Sequence, residues 1–289
     1  MLVVDFSRYL PGAFASRELL ELGARVVCVE PPGGEPMRAS APAWDAVLRA
    51  GKESVEVNLK ADPARALELM RDADVVLESF RPGVAARLGI GPDDVPERTV
   101  HCSITGFGRG NRHEERVGHD LNYLGWAGAL YDTAPALPPV QIADLAAGGL
   151  GAVTKILAAL LERDRTGKGA RIVVSLTHGA HRLVSHRLGE DLPRLLTGDM
   201  ACYRIYETAD GRHLTVAPLE PQFFRRLVAL LGRPDLAERQ FDPDQDALAA
   251  ELSAVFMTRP LAAWLELFDA EDVCVGPVAT VAEAAADLA

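Results

Sequence analysis

The chain has 289 residues, 48% hydrophobic and 25% charged, proportions that fit a packed globular protein and exclude disordered, fibrous and membrane-embedded classes. Its formal net charge of −11 argues against a surface for nucleic acid or anionic lipid and favours small-molecule chemistry. Cys28, Cys102, Cys202 and Cys274 are widely spaced and form no C-x-x-C pair, so a reducing, cytoplasmic setting is expected, with no disulfide framework.

From the N-terminus, "LVVDF" reads as a strand and Gly12 to Leu22 as a helix. The chain opens directly on that strand, so no leader is expected, and no run is expected to reach the apolar length of a membrane span. Further strands are predicted at "RVVCVE", "SVEVNL", "ADVVLESF" and "TVHCSITGF", with a helix at "DPARALELMRDA". Short Val-rich runs separated by helices indicate βαβ units. The fold class expected is therefore α/β, with a doubly wound, mostly parallel, Rossmann-like sheet covered on both faces.

From Gly118 to about Glu162 the pattern becomes helical, and "DLAAGGLGAVTKILAALLERDRTGKG" reads as one long helix closed by Gly167 and Gly169. "ARIVVSL" returns as a strand and leads into a helix. Beyond the stretch Gly189–Gly198, "ACYRIYETADGRHLTVAP" reads as an antiparallel hairpin turning at Ala209-Asp210-Gly211. Helices follow at about Pro221–Leu231, Ala247–Phe256 and Leu261–Phe268. The expected organisation is a large domain over 1–188, a small α+β domain over 198–272, and a shortened connector over 273–289 returning towards the large domain.

Several motifs suggest chemistry and fail on inspection. "GFGRGN" lacks the G-x-G-x-x-G register of a dinucleotide loop. His178, His181 and His186 are poorly spaced for one helix face and lack an acidic or cysteine ligand, so no metal site is expected. No G-x-S-x-G elbow occurs. Arg38 in "PPGGEPMR" and Arg81 in "ESFRPG" lie where strands end, and guanidinium groups there suit phosphates. The pair His119–Asp120, Asp144 in "QIADLAAGG" and Glu220 in "VAPLEPQFF" remain, each of which also suits a helix start.

The segments "DFSRYLPGAFASRELLELGARVVCVEPPGGEP", "GKESVEVNLK", "ADVVLESFRPGVAARLGIG", "SITGFG", "GHDLNYL", "ADLAAGGLGA" and "YRIYETADGRHLTVAPLEPQFF", in this order, resemble the family III CoA transferases (the CaiB/BaiF superfamily), most closely the α-methylacyl-CoA racemase branch. In similar racemases the histidine of G-H-D-x-N-Y, here His119, is one acid/base, assisted by the glutamate of E-P-Q-F-F, here Glu220. The aspartate of A-D-x-x-x-G-G, here Asp144, is the other. In the transferases the equivalent of Asp144 is instead a nucleophile that passes through an aspartyl-CoA thioester. The resemblance further implies CoA along the strand exits, with Arg38 and Arg81 near its phosphates and Leu59 and Lys60 near its adenine. Asp120 and Tyr123, in the same motif as His119, are expected at the substrate. An acyl-CoA thioester as substrate, an interlocked homodimer, and no metal or further cofactor complete the implied picture.

The chemistry favours the racemase for this residue set. Inverting a carbon beside a thioester carbonyl needs a proton removed on one face and delivered on the other, hence two acid/base groups. Backbone N–H groups at the start of the Asp144 helix are expected to receive the enolate oxygen. CoA transfer through Asp144 is the alternative activity, and a non-catalytic CoA-binding subunit the alternative class.

Overall fold

A computed structural model describes residues 1–188 and 194–288, and the chain divides into two units after Leu188. In the first unit, six short runs rich in β-branched residues become strands: β1 (Leu2–Asp5), β2 (Arg25–Glu30), β3 (Glu53–Glu56), β4 (Val75–Glu78), β5 (Val100–Thr105) and β6 (Arg171–Ser175). They pair in parallel in the order β3-β2-β1-β4-β5-β6, the order of a Rossmann sheet. Alternate residues enter two different cores. Val3, Val26, Val75 and Leu77 face one, while Val4, Val29 and Val76 face the other. Both faces are thus covered, which is why these strands read as unbroken apolar runs.

The chain leaves β1 into α1 (Tyr9–Glu21) and leaves β2 through α2 (Pro36–Ser40) and α3 (Pro42–Arg49). Helix α4 (Pro63–Met70) precedes β4, and α5 (Val84–Arg87) follows it. Beyond β5 come α6 (Asp120–Trp126) and a π-helical segment over Ala143–Leu150, which continues without a break into α7 (Gly151–Thr166). Helix α8 (Leu176–Val184) follows β6. The single long helix expected from the sequence is therefore two helices of different pitch.

This run, Ala143–Thr166, corrects the expectation that nothing in the chain is apolar enough to cross a membrane, because by length and composition it is. Its hydropathy comes mainly from Leu, Ile and Val, with alanine adding to it, while its glycines serve packing within this unit. A β-carbon on Gly149 would lie 2.5 Å from Phe14 of α1, and one on Gly179 of α8 would lie 3.0 Å from the Ala147 carbonyl oxygen. Only glycine at these two positions lets the π segment lie against α1 and α8.

In the second unit, β7 (Arg204–Glu207), β8 (His213–Val216) and β9 (Val275–Pro277) form a small antiparallel sheet. Gly211 supplies the positive φ, 73°, that the β7–β8 turn requires. Helices α9 (Pro221–Leu230), α10 (Gln245–Phe256) and α11 (Leu261–Phe268) pack around Trp264, whose indole N–H donates to the Phe256 carbonyl at 2.8 Å. The connector expected over 273–289 is corrected here. Val275–Pro277 is a strand in register with β8, and α12 (Val281–Asp287) follows, its Glu283 paired with Arg212 of the same unit at 2.9 Å. Alternation in "VCVGPVA" is too short to distinguish a third strand from a linker.

Candidate active site

β1 and β4 are neighbours in the sheet, yet the chain beyond them builds opposite halves of it. A crevice at the C-terminal ends of such strands is where open α/β sheets bind ligands. Here it is a pocket of about 620 Å³ whose wall includes His119, Tyr123, Asp144 and Arg81. Arg8 and Tyr9, which follow β1, and Ser79, which follows β4, line it as well.

His119 is the N-cap of α6, with extended backbone and an exposed side chain. Asn122, three residues on, accepts its backbone N–H through Oδ1 at 3.0 Å, which fixes the turn. Tyr123 supports the approach to it. The phenol donates to the Gly118 carbonyl at 2.5 Å, and its ring lies so close to Gly106 and Gly118 that a β-carbon at either would come within 2.9 Å. Burial, then the nearby Asp144 and Asp120 carboxylates, push that phenol up to about 12, so it remains a donor at neutral pH. Its hydroxyl is thus committed to the loop carrying His119.

Asp144 sits in the first turn of the π segment, on the pocket wall. Burial pushes its carboxyl up from 3.8 to about 7, with the charge of Asp120 adding to the effect. The backbone N–H of Asp144 donates to Asp120 Oδ1 at 2.9 Å. This corrects the expectation that N–H groups at the start of the Asp144 helix face an enolate oxygen, because Asp120 already occupies that of Asp144. A short acidic side chain at the first position of a neighbouring helix caps those orphan donors.

Three other sequence candidates of this unit lie elsewhere in it. Arg38 is on α2, with Nη2 on Glu30 Oε1 at 2.9 Å and Nε on Asp45 Oδ2 at 2.7 Å, so its guanidinium is engaged by two carboxylates. The Leu59 side chain is buried in the core shared with Val4 and Phe6, and Lys60 beside it is exposed. None of these three lines the pocket. Glu220 occupies the N-cap position of α9 in the second unit, without a side-chain capping hydrogen bond.

Two pocket residues escaped the sequence reading. Arg8 is half-buried, with Nη1 donating to the carbonyls of Phe6, Ser7 and Val29 at 2.9–3.3 Å and the guanidinium 5.7 Å from the Phe80 ring. Tyr9 has φ 63°, unusual for a non-glycine residue, and its N–H donates to Glu35 Oε1 at 2.9 Å. The signal for both was "SRY" directly after the first strand, a position that faces the switch point in this topology.

A larger groove of about 700 Å³ runs along β6 and α8, past Arg109, Lys155, His178 and Arg182. All four of these side chains are exposed, and no carboxylate among the described residues lines the groove. It therefore offers no imidazole–carboxyl pair, and no group of three His, Cys, Asp or Glu among the described residues is placed to hold a metal.

A Rossmann-type sheet with an imidazole and a proton-retaining carboxyl in its switch-point pocket defines an α/β protein equipped for acid/base chemistry on a bound small molecule. Its family is specific: the chain belongs to the CoA-transferase family III, whose model matches residues 1–289. Human alpha-methylacyl-CoA racemase is 34% identical over 303 residues, covering 97% of this chain and 77% of the relative. Acetyl-CoA:oxalate CoA-transferase of Acetobacter aceti is 32% identical, covering 99% of this chain and 81% of the relative. A CAIB/BAIF family protein from Brucella suis has the same fold, with TM-score 0.85 and 29% identity over 99% of this chain and 85% of that one. The protein is thus an enzyme of a superfamily that contains both racemases and CoA transferases.

Proposed function

We propose that this enzyme inverts the α-carbon of 2-methyl-branched acyl-CoA thioesters by proton transfer through an enolate. The observation that supports the reading is a pocket whose lining includes both His119 and Asp144, a carboxyl that burial pushes up to about 7. One group takes the α-proton, and the electron pair moves onto the thioester oxygen. The other group then gives its proton to the opposite face of the carbon, and solvent restores both. A carboxyl raised to about 7 populates both its protonated and its ionised form near neutrality, as a group that must both take and give a proton requires. An ordinary carboxyl would hold a proton only about one-thousandth of the time at pH 7.

Arg8 and Arg81 at the strand exits supply positive charge for the phosphates of CoA. Glu220 as the assistant of His119, Arg38, Leu59 and Lys60 as contacts of the CoA nucleotide, and Asp120 and Tyr123 as substrate contacts belong to the same proposal, as do an interlocked homodimer and a cytoplasmic setting. No cofactor beyond the CoA carried by the substrate is needed. The test is incubation of a single-epimer 2-methylacyl-CoA in deuterated water. Deuterium should enter the α-position, and absence of exchange with CoA still bound overturns the reading.

CoA transfer through an Asp144 thioester is the second reading, favoured by the transferases among the relatives. A carboxyl protonated up to about pH 7 is a poorer nucleophile at neutrality than an ordinary one, which weighs against it. Hydroxylamine trapping of Asp144 in the presence of an acyl-CoA and an acceptor acid would establish it.

A further inference from the structure

Asp120 is the first residue of α6, directly after His119, and its carboxylate reaches across 24 residues to the Asp144 N–H at 2.9 Å. Proton transfer to and from substrate requires no such bond. Its geometric effect is to tie the turn that carries one acid/base group to the helix start that carries the other. Asp120 is half-buried, and burial, opposed by the N–H groups of Asp144 and Ala143, pushes its own carboxyl above the usual range. A second negative charge is thereby held next to Asp144 in a partly desolvated pocket, where like charges interact strongly.

We propose that Asp120 is a positioning residue that fixes the helix start carrying Asp144 relative to the turn carrying His119 and holds its own negative charge beside Asp144. The hydrogen bond is a matter of geometry, the charge of Asp120 acts on Asp144 in addition to burial, and the kinetic consequence rests on the racemase reading above.

Other groups around Asp144 do not duplicate this role. On α6, Tyr123 is committed to the Gly118 carbonyl. At the start of α1, Arg8 donates to three backbone carbonyls, and Tyr9 lies on the pocket wall. From α8, His178 Nδ1 meets Ser175 Oγ at 2.8 Å and His181 Nδ1 meets the Ala127 carbonyl at 3.1 Å, while Arg182 is exposed in the other groove. Lys155 of α7 donates to the Val173 carbonyl at 3.1 Å, and Arg171 of β6 pairs with Asp93 at 2.5 Å. Arg81, Arg116 and Glu114 line the pocket, and the charge that bears on the Asp144 carboxyl is that of Asp120.

The test compares Asp120→Asn, which keeps an oxygen acceptor and removes the charge, with Asp120→Ala, which removes both. Asp144 is titrated directly by carbon-13 carboxyl NMR on the full chain without substrate, its signal assigned by loss in Asp144→Asn. The Asp144 midpoint is expected to fall by about one pH unit in Asp120→Asn. The acid limb of the deuterium-exchange profile should move with it, and Asp120→Ala should lose about tenfold more rate through lost alignment. An unmoved midpoint in a folded Asp120→Asn overturns the inference, as does equal loss in both variants with an unshifted profile. Absence of exchange in the unmodified enzyme, with the titration shift intact, would overturn the racemase reading and leave the role of Asp120 standing.

Discussion

The carboxylate of Asp120 accepts the backbone N–H of Asp144 at 2.9 Å, so two acidic side chains 24 residues apart in sequence share the start of one helix. The N–H groups favour the charged form of Asp120, and that charge disfavours ionisation of Asp144. One carboxylate is stabilised as a cap, the other is kept as an acid. The arrangement divides two chemically identical groups into two roles by burial and by which of them receives the donors.

A first expectation concerns the pH dependence of exchange. The two working states, ionised Asp144 with protonated His119 and the reverse, carry the same number of protons. Hence kcat/KM for the two epimers must follow one shared bell-shaped profile, whose limbs belong to the pair. Assays of either epimer across pH 5–9 should give a profile with two limbs, one of which is lost or moved in Asp144→Glu. A profile with a single limb, or one unaltered in Asp144→Glu, would be inconsistent with a two-group proton relay.

Stability should depend on pH through Asp144 with a definite sign. Its carboxyl binds a proton more tightly folded, at about 7, than unfolded, at 3.8. Protonation therefore favours the fold, a contribution complete below about pH 4 and lost as pH rises through 7. Asp144→Asn removes the penalty of the ionised form. It should abolish exchange and raise unfolding stability at pH 8 by on the order of 2–4 kcal/mol, with no gain at pH 4. Urea denaturation at the two pH values measures the difference.

Gly179→Ala tests the packing beneath the site. The added β-carbon would lie 2.8 Å from Ala147 Cβ and 3.0 Å from its carbonyl oxygen, and a backbone atom cannot swing aside. Overpacking outweighs the gain in helix propensity, for a net loss of about 1–2 kcal/mol. A drop in Tm of a few degrees, with exchange rate falling as the π segment shifts, is the expected result.

Tyr9→Gly should behave in the opposite way. The φ of 63° costs a non-glycine residue about 1 kcal/mol, and the ring is 56% exposed, so little burial is lost. Stability should hold or rise by up to about 1 kcal/mol. Because Tyr9 lines the pocket, KM for acyl-CoA should increase.

Much of this molecule was readable beforehand, for identifiable reasons. Val3-Val4, Val26–Val29 and Val75–Leu77 are buried on both sides, so their apolar runs announce a parallel sheet. His119 and Asp144 stood out through motifs, and the pocket contains both. The π segment was not readable, since Ala, Gly and Leu suit α and π geometry alike. Nor was the Asp120–Asp144 bond, because nothing local in "GHDLN" or "IADLA" specifies a partner 24 residues away. Arg38 shows a third limit: nothing in the sequence around a lone arginine at a strand exit announces that Glu30 and Asp45 will pair with it.

The wide turns of Ala143–Leu150 run straight into α7. In such a continuous rod the bearing of a side chain depends on how many residues lie between it and a fixed point, and each α-helical residue turns the rod by roughly 100°. Deleting one residue from "LAAGGL", just after Asp144, would leave composition, hydropathy and length almost untouched while aiming Asp144 away from its crevice. The direction in which this carboxyl points is therefore stored as a count, and insertions or deletions here threaten activity more than most substitutions do.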